Sequence, residues 1–206
     1  MKQGRLFVIA APSGAGKTSL VKALLESAPA LRLSVSHTTR KRRDTEQEGH
    51  EYRFVSVPEF EQLKDSGEFL EHARVFDNFY GTSRRFVAQQ LDAGHDVLLE
   101  IDWQGAQQVR RAMPQCVSVF ILPPSRAALA ERLARRATDT PRVIARRLAD
   151  AAGDMSHYRE FDYVVVNDDF GRAVQDLKRI VAGNGGDLRS DRAQLAPLVA
   201  QLLPPG

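Results

Sequence analysis

Cysteine occurs once in these 206 residues, at Cys116, so no disulfide can close within the chain. It sits in the strand-like run Cys116-Val117-Ser118-Val119-Phe120-Ile121-Leu122 and reads as a core residue rather than a nucleophile. Long apolar runs are missing too. They stop at five to seven residues, whereas a membrane-spanning helix needs roughly 20. The N-terminal residues carry no apolar secretory stretch ahead of a cleavage site. A cytoplasmic location with no membrane partner is expected. Aromatic residues are 7% and the net charge is only +3. The concentrated basic, aromatic-interleaved face of many single-strand nucleic-acid binders is therefore not in evidence, and no nucleic-acid partner is expected. What is plentiful is apolar residues, 43% of the chain, enough to bury the core of one domain.

One motif stands out. Directly after the apolar run Leu6-Phe7-Val8-Ile9-Ala10 comes Ala11-Pro12-Ser13-Gly14-Ala15-Gly16-Lys17-Thr18, a phosphate-binding loop with Ala11 where the strict pattern has glycine. Its glycines let backbone N–H groups turn around an anion, the helix that follows adds its positive end, and Lys17 adds a full charge. Thr18 offers a hydroxyl to Mg2+. A bound nucleoside triphosphate is the implied ligand.

Strand-like runs at Leu6–Ala10, 97–101, Val117–Leu122 and Tyr163–Val166 are apolar throughout, which fits a mainly parallel sheet covered on both faces. Helices are expected at 103–113, stopped by Pro114, at 125–136 behind Ser125, from Thr140-Pro141 to about Met155, and over Phe170–Val181, ending at Gly183. The fold class is therefore α/β, a three-layer phosphate-loop fold with the loop at the carboxyl end of the first strand. Residues 34–83 break the rhythm: short strands at 34–36, 52–55 and 69–76 flank a helix at 59–66 opened by Pro58. They read as a small inserted α+β subdomain. The segment 126–157, crowded with arginines, reads as a helical lid. The core is then 1–33, 84–125 and 158–183, and a C-terminal extension, 184–206, suits packing or contact between copies of the chain.

A triphosphate loop does not choose a reaction. Arg40 and Arg43 share one short turn and can each bind phosphate oxygens bidentately, and Tyr52 and Tyr80 can add phenolic donors. Singly each tyrosine is a packing residue; together these side chains suggest a cradle for a second phosphate. At this point the chain resembles the guanylate kinase family, through Pro12-Ser13-Gly14-Ala15-Gly16-Lys17, Ser34-Val35-Ser36-His37-Thr38-Thr39-Arg40, Gly49-His50-Glu51-Tyr52-Arg53-Phe54-Val55, Glu68-Phe69-Leu70-Glu71, Tyr80-Gly81-Thr82, Ile101-Asp102-Trp103-Gln104-Gly105 and Val166-Asn167-Asp168-Asp169. The resemblance spans about residues 4–182.

The resemblance implies transfer of the terminal phosphoryl group of ATP to GMP with Mg2+. It implies that Ala11 to Thr18 and Asn167 hold ATP, with Thr18, and Asp102 through water, near the metal. Ser36, Arg40, Arg43, Tyr52, Glu71, Tyr80, Thr82 and Asp102 would hold GMP. Lys17, Arg40, Arg132, Arg136 and Arg147 would act on the transferring group. Arg42, Glu100 and Ala137 depart from the family pattern, as Ala11 does, and bear on local loop geometry. The acceptor phosphate needs no general base, so His37, His50 and His72 receive no catalytic role. Two other readings remain open from the residues: a peptide-binding relative that has kept the fold, and a kinase of another small phosphate.

Overall fold

The computed structural model describes residues 3–44, 46–50, 52–75, 77–135 and 141–203, with backbone alone at 141–143. Arg136 and Ala137 lie outside the described residues. In chain order the strands are β1 (Leu6–Ala10), β2 (Leu31–Leu33), β3 (His37–Thr38), β4 (Arg53–Phe54), β5 (Phe69–Val75), β6 (Asn78–Ser83), β7 (Asp96–Glu100), β8 (Val117–Leu122) and β9 (Tyr163–Val166). The helices are α1 (Lys17–Ser27), α2 (Val57–Asp65), α3 (Arg84–Asp92), α4 (Trp103–Ala112), α5 (Arg126–Ala134), α6 (Pro141–Ser156), α7 (Phe170–Val181) and α8 (Ala196–Leu202). The fold is α/β, with a mainly parallel five-stranded sheet in the order β2-β7-β1-β8-β9 and a separate four-stranded sheet in the order β4-β3-β6-β5. No helix among the described residues is long and apolar enough to cross a membrane.

The chain divides into two compact units, Met1–Val8 with Pro29–Val117, and Ile9–Ala28 with Ser118–Gly206. In the first, β2 pairs parallel with β7 from Leu31↔Asp96 to Leu33↔Leu98, and Val97 N donates to Arg5 O at 2.9 Å as β1 begins. The small sheet is mixed: β6 runs antiparallel to both β3 and β5, while β3 and β4 are parallel. The expected strand at 34–36 is not one. Ser34 N bonds back to Leu98 O at 3.0 Å and Ser36 O accepts from Arg53 N at 2.9 Å, so these residues cross from one sheet to the other and belong to neither ladder. Each helix here starts where a hydroxyl or carboxylate can take an orphan amide. Ser56 accepts from Glu59 N ahead of α2, Ser83 from Phe86 N ahead of α3, and Asp102 from Gly105 N ahead of α4.

In the second unit β8 pairs parallel with β9, from Val119↔Tyr163 to Leu122↔Val166. Ile9, Phe120, Ile121 and Val164 are fully or almost fully buried, at about 1.5–3 kcal/mol for each large apolar side chain. Ser125 caps α5, as the sequence implies, though α5 stops at Ala134, short of 136, and Asp169 caps α7. The outer edge of β9 is covered by the chain's own later residues. Ser190 N donates to Asp162 O at 3.0 Å, Arg189 bridges to Tyr163, and Arg192 Nη1 donates to Val164 O at 2.9 Å and Leu188 O at 2.8 Å.

Candidate active site

In the second unit β1 ends at Ala10 and the chain turns through 11–16 into α1. Gly14 and Gly16 have φ of 88° and 92°, the left-handed region that only glycine enters without strain. Gly16 is the N-cap of α1, and no side chain caps that end. The first-turn amides and the helix dipole therefore favour an anion. Space is as restrictive as conformation. A Cβ at Gly14 would stand 2.9 Å from Leu133, and one at Gly16 would stand 2.5 Å from Asn167 Nδ2.

Two side chains hold this loop by its carbonyls. Asn167, 5% exposed at the end of β9, donates Nδ2 to Ala15 O at 2.8 Å. Arg132 of α5 donates Nη2 to Asn167 O at 2.9 Å, with Nη1 3.5 Å from Ala15 O. Arg132 thus engages the loop backbone in this structure. Lys17 is half-buried and Thr18 exposed at the start of α1, and Arg147 is half-buried on α6. Among the described residues no cluster of three His, Cys, Asp or Glu side chains could cage a metal ion. Mg2+ needs no such cage when phosphates and water complete its shell, so a single hydroxyl such as that of Thr18 fits it.

The first unit contains a different kind of site. Arg40 Nη2 donates to Glu46 Oε1 at 2.7 Å and its Nη1 to Lys41 O at 2.9 Å, with the guanidinium lying 5.3 Å above the Tyr52 ring. Arg43 N donates to Glu46 Oε2 at 2.9 Å, while the Arg43 side chain is 69% exposed. Glu46 therefore takes one donor from each arginine. Burial would raise its carboxyl, but the bond from Arg40, the Arg43 amide and both positive charges outweigh that and hold it below the ordinary 4.5. Tyr52 and Tyr80 sit edge to face at 5.8 Å. Burial, then the charge of Glu100, pushes the Tyr52 phenol up to about 12, so it remains an O–H donor at neutral pH.

The same unit holds a buried polar pair. Glu71 is 3% exposed and Thr82 is 0% exposed. A register shift in β5 between Phe69 and Glu71 brings Glu71 opposite Thr82, the kind of re-aiming a bulge performs. Thr82 Oγ1 donates to Glu71 Oε1 at 2.5 Å. Ser36 is 8% exposed, and Asp102 Oδ1 accepts from Gly105 N at 2.8 Å. Nearby His37 rests on Phe69 at 5.4 Å with Nδ1 unbonded. Burial, then Arg53, lowers its pKa below 6.5, as suits a packing residue.

The first unit contains Ser36, Arg40, Arg43, Tyr52, Glu71, Tyr80, Thr82 and Asp102, with Arg40, Tyr52 and Tyr80 in contact and Glu71 bonded to Thr82; the second contains Ala11 to Thr18 with Asn167 and Arg132, both of which reach Ala15 O. Arg136 lies outside the described residues. Nothing in the sequence marks Glu46, an acid in the polar stretch 44–49, or Gly105 as part of a site.

A guanylate kinase family model matches residues 3–184. The chain is 56% identical to the guanylate kinase of Chromohalobacter salexigens over 98% of its own length and 94% of the relative's. It is 60% identical to that of Thiobacillus denitrificans over 86% and 85%. Among solved structures, the guanylate kinase of Anaplasma phagocytophilum superimposes with a TM-score of 0.73 at 36% identity, covering 97% of this chain and 95% of that one.

Proposed function

The chain belongs to the guanylate kinase family, and on that premise we propose that it passes the terminal phosphoryl group of ATP to GMP, giving ADP and GDP. The observation that carries the acceptor's identity is the buried Glu71–Thr82 pair. A buried carboxylate can accept from guanine N1–H and the 2-amino group together, whereas adenine presents an acceptor at N1.

Arg40, Arg43, Tyr52 and Tyr80 receive the acceptor phosphate. Glu46 holds the two arginines until a phosphate with more oxygens arrives, and Tyr52 contributes a phenolic O–H. On the donor side the amides of 13–18 and Lys17 hold the triphosphate, with Asn167 and Arg132 keeping the loop in shape. Mg2+, when bound at Thr18, would neutralise developing charge on the phosphates. The transition state is loose, with charge spread over equatorial oxygens, so aligned cations matter more than a base. Lys17, Arg132, Arg136 and Arg147 are the cations assigned to that charge. Alignment before transfer is assigned to closure of segments 34–83 and 126–157 over the nucleotides.

A coupled assay with ATP, Mg2+ and each nucleoside monophosphate in turn tests this reading. Rapid ADP formation with GMP, and with dGMP, against slow turnover of AMP, CMP and UMP is expected. Equal turnover of GMP and AMP would overturn the assignment.

A further inference from the structure

The first turn of α4 contains a glycine that the backbone does not require. Gly105 is absent from the residues with positive φ, and it sits inside a regular helix, where glycine is a poor helix former compared with alanine. What distinguishes it is its surroundings. A Cβ built there would overlap Glu71 Oε2, and would stand 3.1 Å from Glu71 Cδ and 3.2 Å from Asp102 Oδ1. The severest overlap is with the tip of the flexible Glu71 side chain, not with backbone, so its carboxylate can swing aside at little cost to the fold.

The helix has little freedom to give way in place of the side chain. Gln108, one turn further along the same helix face, pins α4 to the edge strand β5. Its Oε1 accepts from His72 N at 3.1 Å and its Nε2 donates to His72 O at 2.7 Å. At the start of the turn, Asp102 holds the Gly105 amide at 2.8 Å. With the backbone tied at both ends of this turn, a methyl group at 105 is accommodated by moving Glu71.

We propose that Gly105 is a specificity-determining positioning residue. Its missing side chain is the space that keeps the Glu71 carboxylate beside Thr82 and aimed at the acceptor base. The proposal rests on the assignment of Glu71 to guanine. It separates two properties that a packing glycine would move together, since alanine at 105 leaves the fold intact and displaces the base reader.

The test compares wild type, Gly105→Ala and Glu71→Gln by thermal melting and by steady-state kinetics with GMP and AMP. Gly105→Ala is expected to melt at or above the wild-type temperature, yet to lose roughly 10- to 100-fold in kcat/KM for GMP, the scale of a 1 Å misplacement. The loss should fall on KM for GMP, with kcat at saturation within a few-fold and the AMP rate unchanged. A wild-type KM for GMP in Gly105→Ala overturns the proposal. A lowered melting temperature or an unfolded variant overturns it equally, because the glycine would then serve packing. If Glu71→Gln destroys the preference for GMP and Gly105→Ala does not, this proposal alone fails. If Glu71→Gln keeps the preference, the Glu71 assignment falls and takes the proposal with it.

Discussion

The two units approach anion binding by opposite means. In the second, the loop of residues 11–16 is shaped by its main chain, with two glycines at positive φ and an uncapped helix end. Its supporting side chains, Asn167 and Arg132, donate to backbone carbonyls. In the first, the work falls to side chains: two arginines share Glu46, and Glu71 and Thr82 form a buried pair. A main-chain site recognises phosphate as such and is indifferent to what is attached to it. A site of buried side chains can discriminate, because a wrong partner leaves polar groups unpaired. On the proposed function, the contrast puts general triphosphate binding in the second unit and base choice in the first.

The largest expected effect tests the discriminating side. Glu71→Gln should reduce the preference for GMP over AMP by up to about 10^4, the scale on which sites built from hydrogen bonds reject substrates lacking them. Parallel losses for both monophosphates would reduce this unit to a phosphate cradle. Next comes the charge on the main-chain side. Lys17→Ala should lower kcat by about 10^2–10^3 with melting unchanged, and a folded variant of normal activity would break the comparison.

Asn167→Ala probes the scaffold itself, since it removes a neutral donor from Ala15 O without removing charge. A rise of about 2- to 10-fold in KM for ATP, with KM for GMP unchanged, is the expected outcome of losing one such bond. If KM for GMP rises instead, loop shape is not what Asn167 supports.

The smallest effect concerns pH. Because the folded-state pKa of Glu46 lies below its ordinary 4.5, its contribution to stability is present above that value and lost as pH falls through the folded one. His37, whose folded pKa is lowered from 6.5, works in the same direction. The unfolded chain takes up its proton first, so stability declines as pH drops below 6.5. Melting curves between neutral pH and pH 3 should show Glu46→Gln losing less stability than wild type below 4.5. Identical acid limbs would remove Glu46 as the clasp on the arginines.

The same contrast explains what was legible in the sequence. A site made of backbone leaves a local signature, because glycines at fixed spacing after an apolar strand are required by the turn itself. Ala11 to Thr18 could be read from residue types alone, as could β1, β8, β9 and α7, whose apolar runs and caps are continuous. A site made of side chains has no such spacing. Glu71 and Thr82 are opposed only through strand pairing and a bulge, and it was family resemblance rather than periodicity that singled them out. Glu46 looks like its neighbours until Arg40 and Arg43 are seen to converge on it. The strands β2 and β6 and the helix α3 leave no clear pattern for related reasons: β2 is short and carries Arg32, β6 is largely polar, and α3 exposes Arg84, Arg85 and Gln89. Residues 34–36 look strand-like because they link two sheets.

The covering of β9 by Ser190 and Arg192 carries a consequence for how the chain is made. During synthesis β8 and β9 emerge well before the residues that cover the outer edge of β9. For that interval the growing chain presents a row of unpaired backbone donors and acceptors beside a run of valines, a template for another strand. The closing guanidinium of Arg192, donating to Val164 and Leu188, arrives only about 25 residues after β9 is made. A chain ending at Gly183 would retain every strand of the sheet and still be prone to precipitate, its weakness being solubility rather than chemistry.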